Sequence, residues 1–193
     1  MESGASLALE MAMGIALAAC AGLRAFLPLF VVGIAGKLGW VTLGDSYRWI
    51  TSWPALAVFG VAVATEILSD KIPIVDHVLD VIGGLVKPAA GALLAASVLT
   101  QLSPLQSAVV GILVGGGSAG LVHLTKAKVR LFSSVTTAGL GNPFLSVGED
   151  LASFFGSMIA IVVPVLLILI VLATIVLVFL VRHRLRARAA RLG

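Results

Sequence analysis

The sequence predicts an all-α, polytopic integral membrane protein. It has about five transmembrane helices, with re-entrant or broken and interfacial helices between them. Three observations carry this prediction. Sixty per cent of the 193 residues are hydrophobic and only 11% are charged, against about 45–50% and about 25% in soluble domains. The uncharged runs 88–122 and 151–181 are 35 and 31 residues long, and a bilayer-crossing helix needs only about 20. Prolines and isolated charges cut the remaining apolar stretches at places where a plain span carries neither. Together with a mean hydropathy of +1.14, these features exclude a soluble enzyme, a disulfide scaffold, a disordered tail and a nucleic-acid-binding domain. The surrounding partner is the lipid bilayer.

Residues 5–23 read as an Ala-rich apolar helix with Glu10 near its outer end. Arg24 interrupts it, and Pro28 removes a backbone donor four residues later. The following stretch, 25–36, is about 18 Å long as a helix, too short for a core of about 30 Å. It is either a re-entrant segment or the far half of a kinked helix. Residues 37–53 form an interfacial aromatic segment that holds Trp40, Trp49, Trp53 and Tyr47 among Lys37, Asp45 and Arg48. Such rings favour the headgroup level because one end is apolar and the other stays wet.

Pro54 opens a second span that runs to about Ser69. Residues 74–86 then read as an amphipathic interfacial helix closed by Lys87-Pro88. Ile74, Val78, Ile82 and Leu85 share one face, with Asp76 and Asp80 opposite. Residues 88–102 and 104–124 make a helical hairpin turned at Ser103-Pro104. Its second arm carries Gly111-x3-Gly115 and Gly116-x3-Gly120, small-residue ridges suited to tight packing or to a homo-oligomer through the 111–120 helix. Residues 125–142 read as a polar loop. Ser146-x2-Glu149 has capping-box spacing, and the helix after it runs to Val181 with a kink at Pro164. The whole of 1–181 is one transmembrane domain, and 182–193 is a basic tail.

The charge of +4 arises in that tail, where Arg182, Arg184, Arg186, Arg188 and Arg191 follow a long apolar run. Lys and Arg beside a span hold that end in the cytoplasm. The single cysteine, Cys20, permits no intrachain disulfide. Leu17-Ala18-Ala19-Cys20 has the look of a lipoprotein cleavage box, but no basic residue precedes it and Glu10 interrupts the apolar core, so the first helix reads as retained.

Ionisable groups at bilayer depth cost about 2.5–3.5 kcal/mol on insertion scales and need a compensating role. Glu66, with Asp70 one turn on, could take up a proton or cation, or Glu66 could pair with Arg24. Arg24 could equally bind an anionic group beside a broken helix. Lys71 adjoins the pair. Asp76, His77 and Asp80 have a spacing that a metal could use. His123 could relay a proton. Lys126, Lys128 and Arg130 could form an anion-binding rim, with Asn142 beyond it, while Glu149 and Asp150 suit a helix N-terminus. The chain has no nucleophile elbow, no HExxH zinc site and no phosphate loop at Gly115-Gly116-Gly117. It implies no cofactor and points away from an enzyme without excluding one.

Several motifs occur in order: Gly22-Leu23-Arg24-Ala25-Phe26-Leu27-Pro28; Glu66-x3-Asp70-Lys71-Ile72-Pro73-x2-Asp76-x3-Asp80; Lys87-Pro88-x2-Gly91-Ala92; His123-x2-Lys126-Ala127-x2-Arg130; and Gly141-Asn142-Pro143-x2-Ser146-x2-Glu149-Asp150. In this the chain resembles a bacterial membrane family, the domain of unknown function 4126, over roughly residues 14–164. The resemblance implies a small inner-membrane protein and brings no activity or cofactor with it. The leading expectation is a transporter or channel-like carrier that uses intramembrane carboxylates for proton or cation coupling. The rivals are a translocator of an anionic lipid carrier, whose phosphate headgroup would meet the basic cluster Lys87, Lys126, Lys128 and Arg130, a membrane-embedded metal-dependent enzyme and an assembly subunit.

Overall fold

The computed structural model describes residues 2–69 and 73–163, and among these every regular element is helical. The chain groups into two units, Met1–Ile161 and Val162–Gly193, and the geometry below belongs to the first. The Pro164 kink, the last span and the tail at 182–193 lie outside the described residues.

Helix α1 (Glu2–Leu23) and helix α2 (Phe26–Lys37) are separated at Arg24-Ala25, so the short apolar stretch is a broken segment. At its far end the Gly44 N–H donates to Ser97 O at 2.9 Å. Thr100, close by in sequence, donates to Glu10 of α1. The chain therefore leaves α2 at the Glu10 end of the bundle, and α1–α2 is a hairpin with Arg24 at its tip. A 3₁₀ turn, Asp45–Thr51, carries the aromatic segment into α3 (Trp53–Ser69) through a 61° bend. Ser52 Oγ accepts from the Ala55 N–H at that helix start. Trp40, Trp49 and Trp53 are exposed, and Lys37 Nζ stands 4.3 Å from the Trp53 ring centre.

Helix α4 (Pro73–Val98) runs without a break through Pro88, so 74–86 is not a separate interfacial helix. Gly84, four residues before Pro88, presents no side chain to the ring, and neighbouring helices stabilise such interruptions in membranes. Ser103 caps helix α5 (Pro104–Val110) in a reciprocal capping box with Gln106. A π segment, Gly111–Gly116, and helix α6 (Gly117–Thr137) follow in one continuous run. Residues 125–137 are thus helix rather than loop. Their hydroxyls are satisfied within the helix: Thr125, Ser134, Thr136 and Thr137 each donate to the carbonyl four residues back. The turn at Ala138 (φ 50°) and Gly139 (φ 84°) ends it. Helix α7 begins at Asn142 and is described to Val163, which puts Ser146 inside the helix and not at its cap.

Gly4–Leu23, Pro104–Thr137 and Asn142–Val163 are each long and apolar enough to cross a membrane, and the bent pair ending in α3 makes a fourth candidate among the described residues. The interior is thin. Leu17, Val32, Ile50, Leu94 and Val98 are its fully buried large apolar groups, while Leu105, Ile112, Leu113, Leu121, Phe132, Val135 and Phe144 face outward, as lipid contact allows. Between helices in lipid the attraction comes from close packing rather than from the hydrophobic effect, and here small residues supply it. A Cβ on Gly22 would lie 2.5 Å from Ala119 O, one on Gly111 would lie 2.5 Å from Ala92 O, and one on Gly115 would lie 2.5 Å from Gly91 O. Gly111 and Gly115 therefore spend their closeness on α4 of the same chain.

Candidate charged site at the helix break

Arg24 is 1% exposed, the largest of the fully buried side chains among the described residues. The tip of the α1–α2 hairpin fixes its backbone, and α3 and α7 supply its partners. Its Nε lies 2.6 Å from Asp150 Oδ1. Nη2 donates to Ser146 Oγ at 2.7 Å and to Ser146 O at 3.3 Å, and Nη1 donates to the Glu66 backbone carbonyl at 3.4 Å. The buried guanidinium thus meets the carboxylate and hydroxyl of α7.

The Glu66 carboxylate has a different task. Its Oε1 accepts from the Ala25 N–H at 2.9 Å and its Oε2 from the Phe26 N–H at 3.3 Å. These are orphan donors at the start of α2, where no side chain of the local sequence caps the helix. An anion there also meets the positive end of the helix dipole. Glu66 therefore holds the broken segment to α3 across 41 residues of sequence.

A second group of charges adjoins the first. Lys126 and Arg130 lie one turn apart on α6 and share Glu149 of α7. Lys126 Nζ is 2.9 Å from Glu149 Oε2, and Arg130 spans the carboxylate with Nε to Oε1 at 3.3 Å and Nη2 to Oε2 at 3.0 Å. Such a two-point contact is specific to arginine. Lys126 also donates to Leu23 O at 3.3 Å, at the C-terminal end of α1 where a cation is favoured. Lys87 Nζ stands 3.3 Å from His123 Nδ1, both residues being buried.

A cavity of about 250 Å³ opens among these groups, lined by Arg24, Glu66, Lys87 and Lys126 with apolar walls from Phe26, Ala62 and Val86. Glu66 is 13 residues along α3 from the exposed Trp53, about 20 Å of helix. This puts the cavity deep relative to the aromatic belt. In transporters, discontinuous helices whose ends meet charged ligands mark the binding region.

The residues singled out in the sequence divide into three groups. Arg24, Glu66, His123, Lys126, Arg130 and Glu149 converge at this end of the bundle. Asn142 instead ties the α6–α7 turn, its Nδ2 donating to Ser134 Oγ at 2.9 Å. Asp70 and Lys71 lie outside the described residues. Asp76 and Asp80 belong to α4, but their side chains are likewise outside what is described. Among the described residues no group of three His, Cys, Asp or Glu side chains is placed to hold a metal ion. Asp150 and Ser146 enter the site as partners of Arg24, a role that their spacing before an apolar helix concealed behind a capping motif. Lys87, which the sequence placed only in a basic cluster with Lys126, Lys128 and Arg130, enters through its contact with His123.

No curated protein and no solved structure matches the chain significantly. A family model matches residues 11–184, which takes in every residue of the charged site. The chain therefore belongs to the family described as domain of unknown function (DUF4126).

Proposed function

We propose that this protein is a small carrier of the bacterial inner membrane, in which Glu66 couples proton or cation movement to passage of an anionic ligand past Arg24, Lys87 and Lys126. The observation that carries this reading is the Glu66 carboxylate, which closes the start of a broken helix at the wall of a cavity. Neutralising it, by a proton or a bound cation, removes the negative charge from the α2 N-terminus and weakens both N–H contacts. The hold of α3 on the α1–α2 tip is then reduced to the Arg24 Nη1 contact with the Glu66 carbonyl, and a shift of the tip would change the opening of the cavity. The three cationic side chains on the same wall suit an anion. The arginine-rich tail suits a cytoplasmic C-terminus. A homo-oligomer fits so small a chain, its contact falling on outward groups such as Leu105, Ile112 and Leu113, since Gly111 and Gly115 are already packed.

The test is ion flux into proteoliposomes under imposed pH and cation gradients, comparing wild type with Glu66→Gln and Arg24→Ala. The expected result is flux in wild type and its loss in a Glu66→Gln protein that retains wild-type thermal stability. Wild-type flux no greater than that of empty liposomes overturns the reading. It then gives way to an assembly role, which one observation favours: the pairs Arg24–Asp150 and Lys126–Glu149–Arg130 knit α1, α6 and α7 together. In that case neutralising Glu66 alters stability alone.

A further inference from the structure

The charged cavity opens on one flank of the bundle. Its floor holds Arg24, Lys87 and Lys126, which are 1, 5 and 6% exposed. Thr65 of α3 and Ile82 of α4 line it as well, and both are exposed, Ile82 to 49%. The mouth therefore lies between α3 and α4. Residues three and four apart share a helix face, so Val61 and Leu68 flank Thr65, and Leu85 flanks Ile82. These three are 69, 61 and 81% exposed. The Thr65 hydroxyl donates back to Val61 O at 2.9 Å, so its side chain offers the rim no unsatisfied donor, as hydrocarbon requires. Thr65 stands about 18 Å along α3 from the exposed Trp53, a distance that falls within a core of about 30 Å.

We infer that the cavity is entered sideways from the bilayer, between α3 and α4, by a membrane amphiphile whose polar headgroup reaches the charged floor while its chain stays in hydrocarbon. A solute arriving from water meets an apolar rim at bilayer depth, whereas an amphiphile meets there the medium it already occupies. The volume of about 250 Å³ lies below the about 300–1,000 Å³ of pockets that enclose a drug-sized ligand. It takes a headgroup and leaves the chain at the mouth, and Phe26, Ala62 and Val86 give it further apolar wall. The far half of α3 is the wall able to yield. Leu56 and Phe59 in its first half are buried, whereas no residue from Gly60 to Leu68 is. The inference deepens the carrier reading, on which it rests for the role of Glu66: the carboxylate that holds this half of α3 to the start of α2 then governs the mouth.

The test is photolabelling of the full chain in liposomes that carry phosphatidylglycerol and phosphatidylcholine with a diazirine beside the headgroup, read by peptide mass spectrometry. Adducts of at least one lipid are expected on Phe26, Ala62 and Val86, well above those on Leu113, which is exposed on the outer face of the Pro104–Thr137 run. Thr65→Trp plugs the mouth from an exposed position and is expected to lower the cavity adducts about tenfold at unchanged thermal stability. If that variant fails to fold, Ile82→Trp takes its place. In a Cys20→Ala background, Ala62→Cys is expected to resist an impermeant maleimide in permeabilised vesicles. Cavity adducts no more frequent than those on Leu113, adducts undiminished by the plug, or labelling of Ala62→Cys from water each overturns the proposal. Flux in proteoliposomes separates the two readings. If flux depends on Glu66 while the cavity reacts only from water, lateral entry alone falls. If wild type gives no flux but the plug removes cavity adducts, the carrier alone falls.

Discussion

The strongest constraint at the scale of single residues is the burial of four cations, Arg24, Lys87, Lys126 and Arg130, beside the partly buried carboxylates of Glu66, Glu149 and Asp150. Glu149 serves two of those cations at once while its own side chain is 11% exposed. Removing one member of a buried ion pair leaves the other charged, desolvated and unmatched, at a cost of about 3–5 kcal/mol. Glu149→Ala is therefore expected to lower stability by about that amount, and Glu149→Gln by less because it still accepts hydrogen bonds. Thermal unfolding in detergent checks this, and equal melting of Glu149→Ala and wild type contradicts it. Ser146→Ala removes a 2.7 Å hydrogen bond to the Arg24 guanidinium. Hydrogen bonds to charged groups contribute about 1.5–3 kcal/mol, so the same measurement is expected to show a smaller loss. The sequence identified Arg24 and Glu66 because a charge inside an apolar stretch is conspicuous, and it singled out Lys126 and Arg130 as a basic rim in a polar segment and Glu149 as a helix-start residue. It did not reveal who pairs with whom. The Arg24–Ser146 contact joins residues 122 apart and depends on how α7 lies against α1, which no local pattern encodes.

Individual helices were legible where apolar length alone decides them and obscure where packing overrides local chemistry. The α1 span and the turn at Ser103-Pro104 follow from hydropathy and from proline at a helix start. The segment 125–137 reads as a loop because it is polar, yet polarity does not oppose a helix whose hydroxyls bond back along it and whose basic face is matched by α7. Pro88 suggests a boundary for the same local reason, and α4 continues through it because the helices around it hold both halves. The glycine ridge was legible as a packing device, and its partner proved to be α4. A side chain at 115 would collide with Ala95 Cβ and Gly91 O at 2.5 Å, both on a neighbouring helix. Gly115→Val is expected to prevent assembly of α4 with the π segment, seen as loss of monodisperse protein on size-exclusion chromatography. Gly117→Ala is the control, since nothing lies within 4 Å of its Cβ position. It is expected to be neutral or to stabilise by about 0.5–1 kcal/mol through higher helix propensity. A monodisperse Gly115→Val protein contradicts the packing scheme.

At the scale of the whole molecule, the two ends of the bundle differ in kind. One end gathers Glu10 with Thr100 and Gln101, the Gly44–Ser97 contact and, through the short loop after α2, the exposed tryptophans. The other end holds the hairpin tip at Arg24, the shared carboxylate Glu149 and the turn at Ala138-Gly139. The run from Pro104 to Thr137 joins the two. Its 34 residues amount to about 51 Å of helix, more than a bilayer core of about 30 Å. A bilayer crossed by this run is expected to leave Gly39 and Ser103 on one side and Gly139 on the other. Gly39 and Gly139 have positive φ and no atom within 4 Å of a built Cβ, so cysteine there costs some backbone strain but meets no neighbour. In a Cys20→Ala background, an impermeant maleimide added to sealed, oriented vesicles is expected to label Gly39→Cys and Ser103→Cys alike. Gly139→Cys is expected to react only after the membrane is permeabilised, or the reverse pattern if the vesicles face the other way. Labelling of Gly39→Cys and Gly139→Cys from the same side would mean that α1–α2 is not a re-entrant hairpin. The capping of α2 by Glu66 would then lie at the wrong depth for a cavity within the bilayer, and the coupling role proposed for it would fall with the topology.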